Sequence, residues 1–97
     1  MKITTKSGFK LDLDERILDD WRVIRAMGKA DNVSNPEDVI AGVVDLVSLI
    51  FGKDEDRLIE YIQSKNDGFV PMEVLKEELL SVFERARTIK NSRSSQA

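Results

Sequence analysis

The amino-acid sequence predicts a mainly α-helical, α+β protein, in which an N-terminal β-hairpin is followed by about four helices packed around one core. Apolar and polar residues alternate with a period of two near the start of the chain, as is typical of half-buried strands. Further along, apolar residues recur at helical spacing between capping signals. The length of 97 residues fits one domain, which we assign to residues 1–90. Residues 91–97, NSRSSQA, show no periodicity, and we predict a disordered tail there.

The predicted hairpin turns at Lys6, Ser7 and Gly8, because glycine readily adopts the positive φ that tight turns need. One face of the two strands carries the residues that we expect to be buried: Ile3, Thr5, Phe9, Leu11 and Leu13. Two strands alone are only marginally stable in water, so this face must pack on helices.

The first predicted helix begins after Asp14, whose side chain can cap it, or later, after Asp19 or Asp20. Its apolar residues fall on one helical face, which we expect to be buried: Ile17, Leu18, Trp21, Ile24 and Met27. For Trp21, packing in the core is favoured over a role as an interface anchor.

The second predicted helix starts at Pro36, behind the cap Asn35, and stops at Gly52. It carries two neighbouring apolar stripes. We expect the first stripe to face the core: Val39, Val43, Leu46 and Ile50. The second stripe is our candidate for an exposed protein-binding surface: Ile40, Val44, Val47 and Phe51. Burial of both stripes, in a central core helix, is the competing interpretation.

A short third helix is expected after Asp54, which can cap it, and a turn at residues 66–68 separates it from the last helix. Apolar residues at helical spacing predict the buried face of the last helix: Met72, Leu75, Leu79, Val82, Phe83, Ala86 and Ile89. Val74 and Leu80 lie off this stripe and form a second candidate contact patch.

The chain contains no Cys and no His, which excludes thiol nucleophiles, imidazole bases and zinc sites of the Cys/His type. Its acidic clusters lie at predicted helix starts, where capping explains them. The loop around Gly68 has the shape of a calcium loop but lacks the carboxylates that calcium needs. We therefore expect no enzymatic activity, no metal or other cofactor, and no small-molecule substrate.

The formal net charge is −3, but residues 1–84 carry −7 and the remaining residues carry +4. An acidic body argues against binding to nucleic acid or to an anionic membrane surface. The longest apolar stretch, residues 39–51, is shorter than the about 20 residues that span a bilayer. Since no signal peptide is visible either, we expect a cytoplasmic protein.

The order of several short motifs resembles the small tail assembly chaperones of long-tailed bacteriophages and prophages. The motifs are KSGF at residues 6–9, LDLDE at 11–15, LDDW at 18–21, LIFG at 49–52, DGFVP at 67–71 and EELLSVFE at 77–84. Together they cover about residues 2–88. Each motif is weak by itself, and the resemblance depends on their order and spacing.

This resemblance implies a helical protein without enzymatic activity that takes part in tail assembly. Such chaperones bind the long tape measure protein, keep it soluble in the bacterial host cytoplasm and are absent from the finished virion. The implied partner is therefore the tape measure protein, and self-association through the same apolar surfaces is the competing use. Helix-in-groove recognition would suit a partner with long apolar helical stripes.

A small DNA-associated regulatory protein of a phage or prophage is the alternative interpretation, with residues 54–89 as a helix–turn–helix pair. Such a pair needs basic residues on the exposed face of its second helix. The last helix instead carries four glutamates and one lysine between residues 73 and 84, which counts against this alternative.

Overall fold

The computed structural model describes residues 1–95 and confirms the predicted class, a mainly helical chain with an antiparallel hairpin. The strands are β1 (Lys2–Thr4) and β2 (Lys10–Asp12). Within residues 1–95 the helices are α1 (Trp21–Ala30), α2 (Pro36–Phe51), α3 (Glu55–Lys65) and α4 (Met72–Ser95). Short 3-10 helices at Glu15–Asp19 and Gly52–Asp54 precede α1 and α3.

The hairpin has the predicted turn and the predicted buried face. Ile3 in β1 lies opposite Leu11 in β2. Gly8 adopts a φ of 101°, and the Thr5 amide donates a hydrogen bond of 2.8 Å to the Phe9 carbonyl. The inward-facing side chains are all buried: Ile3, Thr5, Phe9, Leu11 and Leu13.

A buried carboxylate on α4 holds the hairpin turn. Glu78 is only 4% exposed, and it accepts hydrogen bonds of 2.9 Å from the hydroxyls of Thr5 and Ser7. One helical turn further along, the Ser81 hydroxyl accepts a 2.7 Å hydrogen bond from the Lys6 amide. These bonds join residues more than 70 positions apart and satisfy polar groups that would otherwise be buried without partners.

Helix α3 holds the same turn from the other side. The Tyr61 hydroxyl donates to the Ser7 carbonyl, and the Lys65 ammonium donates to both of these oxygens. The hydrogen bond from Lys65 favours the phenolate and lowers the pKa of Tyr61 below its ordinary value. Arg57 places its guanidinium 4.4 Å from the centre of the Phe9 ring, so the hairpin is fixed by contacts with both α3 and α4.

Helix α1 begins at the latest of the three predicted positions. Asp14 caps the preceding 3-10 helix, and Asp20 caps α1 by accepting a 2.8 Å hydrogen bond from the Arg22 amide. The Arg22 guanidinium also pairs with Asp20, as Arg16 does with Asp14. These side-chain hydrogen bonds from arginine are the main reason that the pKa of each aspartate falls to about 2.

Most predicted boundaries of the later helices are confirmed. The Asn35 side chain caps α2, and Gly52 ends it with a φ of 50°. Asp54 precedes α3 but accepts no capping hydrogen bond, and its carboxylate pairs with Arg57 at 3.2 Å. The predicted turn at residues 66–68 is present, with positive φ at Asp67 and Gly68.

Helix α4 packs the predicted stripe against the core. Leu79, Val82 and Ala86 are buried. The other four residues of the stripe are half-buried: Met72, Leu75, Phe83 and Ile89. The helix also continues to Ser95, so residues 91–95 are helical where the sequence predicts a disordered tail. No glycine or proline interrupts the chain between residues 72 and 95, so a local stop signal is missing. Residues 96 and 97 lie outside the described residues.

Helices α1 and α2 cross at a point where there is no room for a side chain. A Cβ atom on Gly42 would lie 2.4 Å from the Ala30 nitrogen and 2.6 Å from the Ala26 carbonyl oxygen. The residues of α1 that are buried are accordingly small or medium in size, namely Val23 and Ala26. The close approach of the two backbones therefore decides which face of α1 is buried.

We expect Gly42→Ala to lower the free energy of unfolding by about 2 kcal/mol, because the new methyl group would force α1 away from α2. Urea denaturation measures this change. Gly28→Ala is the matched control in α1, since nothing lies within 4 Å of its Cβ position. Alanine should raise the stability there by about 0.5–1 kcal/mol. If both variants changed the free energy of unfolding in the same direction, the argument from close packing at Gly42 would be contradicted.

We also expect Glu78→Ala to lower the free energy of unfolding by about 2 kcal/mol, because the buried Thr5 hydroxyl would lose its acceptor. Glu77→Ala removes the neighbouring carboxylate, which is exposed, and should change stability by less than about 0.5 kcal/mol. Equal losses in the two variants, measured by urea denaturation, would show that Glu78 does not anchor the hairpin.

Candidate interaction surface

The most unusual property of the described surface is the number of large apolar side chains that it exposes. There are eight of them: Trp21, Ile24, Met27, Val33, Ile40, Val44, Phe69 and Leu80. Single exposed apolar residues are common in proteins, whereas groups of them mark sites of interaction. Three of the eight, Met27, Val33 and Leu80, line one groove, which is the candidate site.

Three of the eight lie along α1, and the prediction that these three are buried is wrong. Ile17 and Leu18, from the same predicted face, are half-buried against the core. The exposed fraction rises from 39% at Met27 to 47% at Ile24 and 66% at Trp21. Each step of three residues along a helix rotates the side chain by about 60°, so the series turns progressively away from α2. Val23 and Ala26 occupy the buried face instead, and Trp21 is not a core residue.

An apolar groove opens between α1, α2 and α4, with a volume of about 250 Å³. We define the apolar groove by six of its lining residues: Met27, Val33, Val39, Val43, Leu80 and Phe83. Val33 and Leu80 are exposed at its mouth, whereas Val43 is buried. Asp31 and Lys76 also line this part of the groove, one charge of each sign.

The groove continues toward the C-terminal part of α4. A second depression of about 380 Å³ shares Met27 and Phe83 with the first, and it is also lined by Leu18, Arg87 and Lys90. The apolar groove is therefore bordered by Asp31 and Lys76 at one end and by two cations at the other. Its chemistry suits an apolar segment with polar flanks.

The predicted binding stripe on α2 is exposed over only half of its length. Ile40 and Val44 are 53% and 60% exposed, one turn apart, but Val47 and Phe51 are buried. The end of the stripe is covered because the Phe9 ring of the hairpin packs edge-on against Phe51, with centroids 6.0 Å apart. Val47 and Phe51 are therefore core residues, and the prediction that they belong to the binding surface is wrong.

The two predicted positions on α4 also differ. Leu80 is exposed and lines the apolar groove, whereas Val74 is half-buried against the core. Ile40 and Val44 do not line the groove; the groove contains their neighbours Val39 and Val43.

Sequence reasoning missed several exposed apolar residues. Val33 is the lone apolar residue in the polar run of residues 31–35, and Phe69 directly follows the glycine of a turn. An isolated apolar residue in a turn or loop is a usable signal, because loops run over the surface. For Ile24 and Trp21 the helical periodicity predicts burial, whereas both side chains are exposed.

Metal clusters and membrane-spanning helices are both absent from the part of the chain that the structure describes. It contains no group of three or more acidic side chains placed to hold a metal ion. None of its helices has the length and apolar character needed to cross a bilayer. No family model, curated protein or solved structure matches this chain.

Phe51→Asp should unfold the protein, because it removes a buried ring and buries an unpaired charge, at a cost of at least about 3 kcal/mol. Val44→Asp should leave the fold intact, since the carboxylate would lie in solvent. Far-UV circular dichroism and thermal melting compare the two variants. A folded Phe51→Asp variant would mean that the end of the stripe is not covered by the hairpin.

Proposed function

We propose that this protein is a tail assembly chaperone of a long-tailed bacteriophage or prophage, which binds apolar helical segments of the tape measure protein. It would act without enzymatic activity, in the cytoplasm of the bacterial host, and would be absent from the finished virion. The observation that carries the proposal is the apolar groove, which opens to solvent between α1, α2 and α4.

The walls of the groove suit a helical partner. Two of them are helices, α1 and α4, and apolar side chains of α2 lie between them. An amphipathic helix can place its apolar side chains in such a groove, with anchor residues spaced three or four positions apart. The exposed residues Trp21 and Ile24, on the same helix as Met27, would extend the contact beyond the groove.

The net charge of residues 1–84 would help this protein to stay soluble while it exposes apolar residues. Residues 1–84 carry a net charge of −7, and mutual repulsion between copies opposes their association through apolar patches. A chaperone present in many copies along a long partner needs this property before it is bound.

The DNA-associated alternative is not carried forward. Glu73, Glu77 and Glu84 are exposed on α4, the helix that would have to enter a groove of DNA. Their carboxylates would repel phosphates along the first half of that helix, and its exposed cations Arg85, Arg87 and Lys90 lie only in the second half.

Co-expression with the longest helical protein encoded nearby in the same genome tests the proposal. We expect a larger soluble fraction of that protein and its co-purification with this chain. Leu80→Asp should abolish both effects, because it places a charge in the apolar groove. Thr88→Asp, an exposed position on the same helix, adds the same charge outside the groove and should retain them.

Two results would contradict the proposal. One is the absence of any complex and of any gain in solubility with the wild-type chain. The other is loss of binding in both variants alike, which would mean that added charge, and not the groove, is responsible. Sedimentation of the chain alone shows whether the groove is instead occupied by a second copy.

A further inference from the structure

We propose that the apolar groove selects its partner helix by charge as well as by apolarity: it takes an amphipathic helix of a partner protein with acidic residues at the end that lies against Arg87 and Lys90. This inference rests on the proposed function, because it concerns which apolar helices the same groove accepts.

A single stripe of α4 forms one wall of the groove along its whole length. Lys76, Leu80, Phe83, Arg87 and Lys90 follow one another at spacings of three or four residues, and all line the two connected depressions. At 1.5 Å per residue, the stripe from Lys76 to Lys90 is about 21 Å long, which corresponds to about four turns of a bound helix.

The opposite wall runs antiparallel to this stripe. Leu18 lies with Arg87 and Lys90, Met27 lies in the middle, and Asp31 lies with Lys76. The groove consequently has two distinct ends. Asp31 and Lys76 carry opposite charges at one end, and Lys76 also pairs with Glu73 at 3.4 Å. The lining residues described at the other end include two cations and no carboxylate.

The two cations are available to a partner. Arg87 and Lys90 are exposed, and the ion pairs among residues 1–91, whose side chains are described, involve neither of them. Their positive charge contrasts with the net charge of −7 that residues 1–84 carry. Carboxylates on a bound helix would therefore be attracted at this end of the groove and gain little at the other, which fixes the direction of the helix.

Two synthetic peptides of about 20 residues, stapled to equal helicity, test this inference. Both carry the same leucine stripe, with three glutamates at one end of the first peptide and three lysines at the same positions of the second. The overall charge of −3 alone would favour the lysine peptide. We expect the glutamate peptide to bind about fivefold more tightly at low salt, measured by fluorescence anisotropy with the full-length protein.

The preference should disappear or reverse in the double variant R87E/K90E and should persist in the control K53E/R85E. The two double variants change the net charge equally, and neither Lys53 nor Arg85 lines the groove. Raising the salt concentration to about 0.5 M should also reduce the preference of the wild-type protein, whereas Leu80→Asp should weaken binding of both peptides.

Each other outcome overturns the inference in a recognisable way. If the two peptides bind equally well, the groove does not select by charge, but the proposed binding of apolar helices is not contradicted. If neither peptide binds, both the charge selection and the proposed binding of apolar helices are contradicted. If the protein binds vesicles of anionic lipid but neither peptide, the occupant is a membrane surface. If it binds neither peptide and forms a dimer that Leu80→Asp dissociates, the occupant is a second copy.

Discussion

The arrangement of this protein depends on the close contact between α1 and α2 at Gly42. The two backbones approach so closely that a Cβ atom at this position would lie within 2.6 Å of atoms of Ala26 and Ala30. Such a contact can only be made with small residues, so the larger residues of α1 must lie elsewhere. Trp21 and Ile24 are therefore exposed as a consequence of how the helices pack, and the same contact positions one wall of the apolar groove.

The other wall is positioned by a polar contact. Glu78 is buried on α4 and binds the hydroxyls of Thr5 and Ser7 in the hairpin turn. A carboxylate is costly to bury unless its oxygens are satisfied, so this contact forms only when α4 and the hairpin have the correct register. Leu80 and Phe83 lie two and five residues beyond Glu78, and their position in the groove follows from that register.

Local chemistry could be predicted from the sequence, whereas the faces of the helices that meet could not. The turn at Gly8 and the helix end at Gly52 follow from the sequence, because glycine is the residue that readily adopts positive φ. The buried face of α1 was predicted wrongly, since its large residues gave a stronger periodic signal than Val23 and Ala26. Periodicity shows that a helix has an apolar face, but shape complementarity with the neighbouring helix decides which face is buried. Glu78 was missed because a glutamate is expected on the surface.

For the proposed chaperone, the important consequence is that the groove exists before the partner binds. Its walls are fixed by Gly42 on one side and by Glu78 on the other, so binding does not require the protein to order itself. The conformational entropy that is lost on binding is then mainly that of the partner helix. A first depression of about 250 Å³ holds only a few side chains, so each copy would bind weakly. Many weak copies along one apolar partner would keep it soluble and still be displaced one at a time, because each contact can dissociate without unfolding the protein.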